Sequence, residues 1–342
     1  MRTDLQTIFI AGNSRSGTTV LSRVLGKHSA IHAFPELHFV EEMWDPRQGA
    51  SPGTITTTMI ERLLQNVDNR YFEPLTEGEY TERAQRLIDD LATDEPCVVF
   101  ASVVESVLAE AGVSVACEQT PKNVYYIFDL LREFPQSRVV QIIRDPRDVV
   151  YSQKDWWKRV FREDTFPWRK IPWHVTLRRW AQYHPWVTAA LWRGGVSAGL
   201  GASDDPRVVT ILFEDFISEP ELTLRPILAL VDLDFESEML TISGSNSSHQ
   251  SGSAERTGLD KSVSGNWRTG LTRGEIWLVE RQAFPLAGRM GYSPTARSMP
   301  VISVGLIMLT LPLKLAVTLL LRLGSPRAFV RAVRLRFGGA SR

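Results

Sequence analysis

Cysteine is scarce: Cys97 and Cys117 are the only two in 342 residues. One pair cannot build a disulfide framework, and their spacing fits no metal motif. Both read as small buried apolar side chains, and no metal is expected. The chain also lacks internal repeats and long low-complexity tracts. Its 43% hydrophobic and 23% charged residues are globular values, which excludes collagen-like and wholly disordered readings. No apolar signal segment follows Met1-Arg-Thr-Asp4, so the cytoplasm is the expected compartment. With 39 basic and 39 acidic residues, a strongly basic nucleic-acid binder is excluded. That balance is a sum of unlike parts. No acid occurs after Glu280, while ten basic residues do, so residues 1–280 carry −10 and the last 62 carry +10.

What is present begins with Thr7–Ala11, a β-rich run, followed by a glycine loop and an apolar-periodic segment over Val20–Leu25. Strand, loop and helix open an α/β unit. Helical character is expected over 58–92, 101–111, Tyr125–Phe134 and Leu222–Val231, and strands over Val113–Cys117, Arg138–Ile143 and Val208–Phe213. Asp145-Pro146 supplies an N-cap and first helical residue. Residues 45–57 and Ser243–Gly252 read as loop. The alternation predicts an α/β fold, a P-loop-like parallel sheet flanked by helices, with a C-terminal hydrophobic and basic helical tail.

Gly12-Asn-Ser-Arg-Ser-Gly17-Thr18-Thr19 has P-loop spacing, with two glycines five apart between strand and helix. Backbone N–H groups of such a loop, together with the helix N-terminus, cradle an anion. A nucleoside triphosphatase has lysine where Thr18 stands, and a Mg²⁺-binding carboxylate where Arg144 follows the strand ending at Ile143. A kinase or NTPase is therefore disfavoured. The basic residue lies inside the loop, at Arg15.

These residues carry a resemblance. Arg15-Ser-Gly-Thr-Thr19 resembles the 5′-phosphosulfate loop of sulfotransferases that use 3′-phosphoadenosine-5′-phosphosulfate (PAPS). Arg144-Asp-Pro-Arg-Asp-Val-Val-Tyr-Ser152 resembles their 3′-phosphate motif, Phe213-Glu-Asp-Phe-Ile-Ser-Glu-Pro220 their Tyr-Glu-Asp-Leu…Pro segment, and Gly265-Asn-Trp-Arg268 their C-terminal element. The four occur in family order over residues 5–295, closest to the bacterial and tyrosylprotein-like branch. The resemblance implies that Arg15, Ser16, Gly17, Thr18 and Thr19 hold the phosphosulfate, and Arg144 and Ser152 the 3′-phosphate. Lys261 and Ser264 are further candidates for phosphate contact. Arg15 would also stabilise the bridging oxygen as the sulfuryl group departs. The simpler alternative for Arg144 is a salt bridge to Asp145 or Asp148.

A hydroxyl acceptor loses a proton as it attacks, so a base is needed. Glu36, 21 residues after Arg15, stands at the offset of the branch's catalytic glutamate, and His28 also matches that branch. His38 is the rival base. Two departures bear on efficiency. Gln119, in Glu118-Gln-Thr-Pro-Lys122, stands where the branch often has lysine, and Phe213 where it often has tyrosine. Seven of the ten tryptophans fall between Trp156 and Trp192. Helix packing explains most of them, with one or two left to line an acceptor pocket.

Val301–Leu321 is apolar but for Ser303, Thr310, Lys314 and Thr318, and long enough to span a bilayer. A span would separate the catalytic domain from the arginines at 322–336, although both belong on the cytoplasmic side. A re-entrant or surface-lying helix broken near Pro312, followed by a basic amphipathic helix over Pro326–Phe337, satisfies both. A helix pair buried in the protein or at a dimer interface is the alternative. The expected organisation is a sulfotransferase domain over 1–295 and a membrane-associating tail over 296–342. The partners are PAPS, a hydroxylated acceptor such as a glycolipid, and the cytoplasmic face of the membrane. A PAPS-binding membrane scaffold without turnover is the non-enzymatic alternative.

Overall fold

Thr7–Gly12 forms the first strand, and all six of its residues are buried, as a central parallel strand requires. The computed structural model describes residues 5–46, 55–71, 73–76, 78–158, 173–242 and 258–321. In chain order the elements are β1 (Thr7–Gly12), α1 (Thr18–Leu25), β2 (Ile31–Ala33), α2 (Phe39–Glu42), α3 (Thr57–Val67), α4 (Thr81–Leu91), α5 (Pro96–Ala111) and β3 (Val115–Glu118). There follow α6 (Ile127–Glu133), β4 (Arg138–Ile143), α7 (Pro146–Lys158), α8 (Trp173–Gln182), α9 (Pro185–Leu200), β5 (Val208–Leu212), α10 (Phe213–Ser218) and α11 (Pro220–Ala229). The last are α12 (Trp267–Gly270), α13 (Arg273–Ala287) and α14 (Val301–Leu320). The predicted loop Ser243–Gly252 and the predicted helix Pro326–Phe337 lie outside the described residues.

The five strands make one parallel sheet in the order β2-β3-β1-β4-β5, flanked by helices as expected. The order reverses at β1, and such a switch point is where open α/β sheets bind ligands, outside the carboxyl ends of their strands. Five of the segments singled out in the sequence follow those ends: the glycine loop follows β1, Glu36 follows β2, Gln119 follows β3, Arg144 follows β4 and Phe213 follows β5.

Local signals explain the boundaries. Thr56 caps α3 by accepting from the Met59 N–H at 3.3 Å, and Glu95 caps α5 ahead of Pro96. Thr272 and Glu275 form a reciprocal capping box at α13. The single helical stretch expected over 58–92 is two helices. Asn69 takes a left-handed conformation just past α3, and Pro74 follows in the connection. The expected break at Pro312 is absent: α14 runs through it for 20 residues.

The chain divides into two units. One holds the sheet: residues up to Gly12, Gly17–Ile142 and Gly199–Ile242. Its core includes a cluster of aromatic rings, with Phe39 stacked 4.2 Å from Phe100 and Phe9 tilted against Phe134 at 5.8 Å between centroids. The other comprises Asn13–Ser16, Ile143–Ala198 and the described residues beyond Ser243. Val150, Tyr183, Ala189, Trp267, Leu271 and Val279 pack at its centre.

Candidate functional site

The loop after β1 takes its shape from two left-handed residues, Arg15 (φ 73°) and Gly17 (φ 98°). At Gly17 no other residue would fit, because a Cβ would lie 2.4 Å from the Phe213 ring. Phe213, standing where the family often has tyrosine, thus forms the wall behind the loop. Gly17 leads into α1 without any side-chain cap, and the first-turn N–H groups of a helix opened in this way suit an anionic acceptor. The Ser16 hydroxyl is buried, with no hydrogen-bond partner among the described residues. A buried donor of that kind suits an anionic ligand.

In the unit that carries Arg15, the cofactor candidates Arg15, Ser152 and Arg144 and the turn with Lys261 and Ser264 come together. Arg15 Nε donates to Ser152 Oγ at 3.1 Å, two turns into α7. Arg144 donates through Nη1 to the Arg15 carbonyl at 3.2 Å and through Nη2 to the Val263 carbonyl at 2.6 Å. The second bond ties the short turn Lys261–Val263, and with it Lys261 and Ser264, to Arg144. Arg147 pairs with Asp145 through Nη2 at 2.7 Å and reaches Glu280 at 2.9 Å. Asp148 accepts from the Gly265 N–H at 2.7 Å and the Trp267 N–H at 3.1 Å, anchoring the C-terminal element. Burial pushes the Asp148 carboxyl up, and the Arg144 charge opposes it.

In the sheet unit, Thr19 Oγ1 donates to Gln119 Oε1 at 3.2 Å. A lysine at 119 could not accept that bond. Its neighbour Glu118 is buried and accepts from the Leu37 N–H at 3.1 Å, the Thr120 N–H at 3.0 Å, the Thr120 hydroxyl and the Asn123 amide. Burial pushes the Glu118 carboxyl up, and the four donors pull the other way. The His38 N–H donates to Thr120 Oγ1 at 3.1 Å, so the segment carrying Glu36 is fixed from both sides of Leu37. Glu36 lies 3.3 Å from His38 Nε2, and the His38 ring stacks on Tyr71 at 3.9 Å. The two rival bases are therefore neighbours. Burial, then Glu42, pushes the Tyr71 hydroxyl up to about 12.

Other sequence candidates have structural positions. The His28 ring accepts the Ala30 N–H on Nδ1 and donates from Nε2 to the Asp234 carbonyl at 2.9 Å. Trp192 is buried and donates to the Arg144 carbonyl at 2.9 Å. Trp156 lies under Arg179, and Trp180 under Lys314. These are packing roles, while Trp168 and the side chains of Trp157 and Trp173 lie outside the described residues.

A model of the sulfotransferase family matches residues 7–237, more than half of the chain. The chain belongs to the sulfotransferase family. The resemblance read from the loop at Arg15 and the strand end at Arg144 is borne out. The fold agrees: the sulfotransferase domain of the Synechococcus PCC 7002 olefin synthase superposes with a TM-score of 0.51 at 19% identity, over 86% of this chain and 97% of that one. The sulfotransferase domain from the curacin biosynthetic pathway gives 0.48 at 19% identity, over 86% and 100%. An uncharacterized protein of Aquifex aeolicus (strain VF5) is 27% identical in an alignment 154 residues long that covers 42% of this chain and 16% of that protein.

The polar supports of the candidate segments escaped sequence reasoning. Glu118 and Asp148 each serve partners that are 81 and 117 residues away. Their signal was only an acid at a strand end or in the first turn of the next helix.

Proposed function

We propose that this sulfotransferase moves a sulfuryl group from PAPS to a hydroxyl on an amphiphilic acceptor, such as a glycolipid, at the cytoplasmic face of a membrane. The observation that carries the reading is the convergence of Arg15, Ser152 and Arg144 through direct hydrogen bonds, with the Lys261–Ser264 turn tied to them. The donor set fits a nucleotide bearing separate 3′- and 5′-anionic groups: guanidinium forks, a serine hydroxyl, loop N–H groups and the buried Ser16 hydroxyl. Arg144, Ser152 and the turn would hold the 3′-phosphate. Arg15 and residues Ser16–Thr19 would hold the 5′-phosphosulfate and neutralise charge on the bridging oxygen as its bond to sulfur breaks. The acceptor oxygen forms the new bond to sulfur, its proton passes to Glu36, and 3′,5′-adenosine bisphosphate leaves. His38, paired with Glu36, would orient that carboxylate.

The basic, acid-free C-terminal region suits an anionic leaflet and motivates the amphiphilic acceptor. Gln119 in place of lysine supports a second reading, a PAPS-binding scaffold without turnover. Calorimetry with 3′,5′-adenosine bisphosphate tests the site. The wild-type chain is expected to bind, and Arg144→Ala to weaken binding about 10- to 100-fold by loss of charge-assisted bonds. Equal affinity for both proteins would refute the assignment. Binding without transfer of labelled sulfate would favour the scaffold.

A further inference from the structure

The polarity of α14 is inverted. Its polar residues, Ser303, Thr310, Lys314 and Thr318, all lie on the partly or fully covered side, and its fully exposed positions are apolar throughout. Ile302 is 80% exposed, Leu306 64%, Leu309 74% and Leu313 58%, while Lys314 is 7% exposed. The spacing 302, 306, 309, 313, 316, 320 makes these one continuous helical stripe, opposite a covered stripe at 304, 307, 311, 314 and 318. The helix is held on its unit by polar staples. Lys314 Nζ donates to the Tyr183 carbonyl at 2.6 Å, and His184 Nε2 donates to the Ile307 carbonyl at 3.2 Å. Gly274 lets α13 approach closely, since a Cβ there would lie 2.3 Å from Ser303 Oγ.

A helix that packs its polar side on protein and its leucines outward is suited to hydrocarbon, not to water. We propose that α14 stays docked on α8 and α13 and lies in the plane of an anionic membrane, with the Ile302–Leu320 stripe sunk among the acyl chains. This deepens the membrane reading above and is independent of the sulfuryl chemistry. Both flanks are basic: Arg297 precedes the helix, and six arginines with no acid follow it to Arg342. Matching charge at both ends fits a surface-lying helix, whereas a span would carry one end across. It also disfavours a second copy as the occupant. Pairing on this stripe would bring two cationic segments together, with no outward polar group to set the register.

The test is sedimentation of the full chain with phosphatidylcholine vesicles, with and without phosphatidylglycerol, followed by alkaline carbonate extraction and external protease. The expected result is binding that depends on phosphatidylglycerol, release by carbonate, and cleavage beyond Arg322 in every bound molecule. Leu306→Asp and Leu313→Asp, each checked for an unchanged circular dichroism spectrum, should weaken partitioning about tenfold apiece. A C-terminal segment protected from protease would overturn the in-plane placement while leaving membrane association standing. A chain that ignores both vesicle types, whether monomer or dimer, would overturn both. Binding unaffected by the two aspartates would also overturn the proposal, because the stripe would then touch no lipid.

Discussion

Glu118→Ala should unhook the segment that carries Glu36. The carboxylate serves the Leu37 N–H at 3.1 Å, the Thr120 N–H at 3.0 Å, and the Thr120 hydroxyl and Asn123 amide. Each buried donor left without an acceptor costs about 1–3 kcal/mol. The Thr120 hydroxyl can turn elsewhere, which leaves three donors stranded. Against that loss stands relief of the burial that pushes the Glu118 carboxyl up. The net expectation is about 3–5 kcal/mol of stability lost, as for other broken buried charge networks. Glu118→Gln behaves differently. Its carbonyl oxygen keeps Leu37 and Thr120, and only the new amide meets Asn123, whose own amide can flip to accept. About 1 kcal/mol is expected there. Urea unfolding of the three proteins gives both differences. Affinity for 3′,5′-adenosine bisphosphate should be largely retained in Glu118→Gln, since the Arg144 cluster is untouched, while turnover falls with Glu36 less firmly placed. An alanine variant within about 0.5 kcal/mol of wild type, or a glutamine variant as unstable as alanine, would refute the reasoning.

Three further outcomes follow from the geometry. Gly17→Ala combines a left-handed φ of 98° with a Cβ set 2.4 Å from the Phe213 ring. It should abolish adenosine bisphosphate binding and cost about 2 kcal/mol or more in thermal unfolding. With Glu36 as the proposed base, Glu36→Gln should lower turnover about 10²- to 10⁴-fold and His38→Ala less, the proposed role of that ring being to orient the carboxylate; near-full turnover in Glu36→Gln with a dead His38→Ala would reverse the roles. Burial lowers Lys314 from 10.5 to about 8, so the folded chain binds this proton less readily than the unfolded one. Below pH 8 both states carry the proton and the penalty is complete. It fades as pH rises from 8 through 10.5, above which neither does. Lys314→Met should therefore show its largest relative gain in stability near pH 7, shrinking by at most about 3 kcal/mol by pH 10.5 in paired urea titrations.

Where a segment's partners are local, the sequence was legible. The runs at Thr7–Gly12 and Arg138–Ile143 read as buried parallel strands because apolar and β-branched residues dominate both. Only three residues form β2, and a histidine sits in the middle, too short a signal for periodicity. Arg15, Arg144 and Ser152 stand out as candidates because their motifs are contiguous, although the bond between Arg15 and Ser152 was not foreseeable from spacing. The roles of Glu118 and Asp148 depend on partners brought in by tertiary packing. Hydropathy marked α14 as apolar, but which side faces the protein was set by Lys314 and His184 reaching carbonyls on partners more than a hundred residues away.

The most direct test is sulfuryl transfer itself. Full-length chain incubated with ³⁵S-labelled PAPS and an extract of membrane lipids should form a labelled, lipid-extractable product together with stoichiometric 3′,5′-adenosine bisphosphate. Glu36→Gln should reduce that product about 100-fold or more while still binding the bisphosphate. No labelled product from the wild-type chain with lipid or metabolite extracts, despite tight nucleotide binding, would contradict the account.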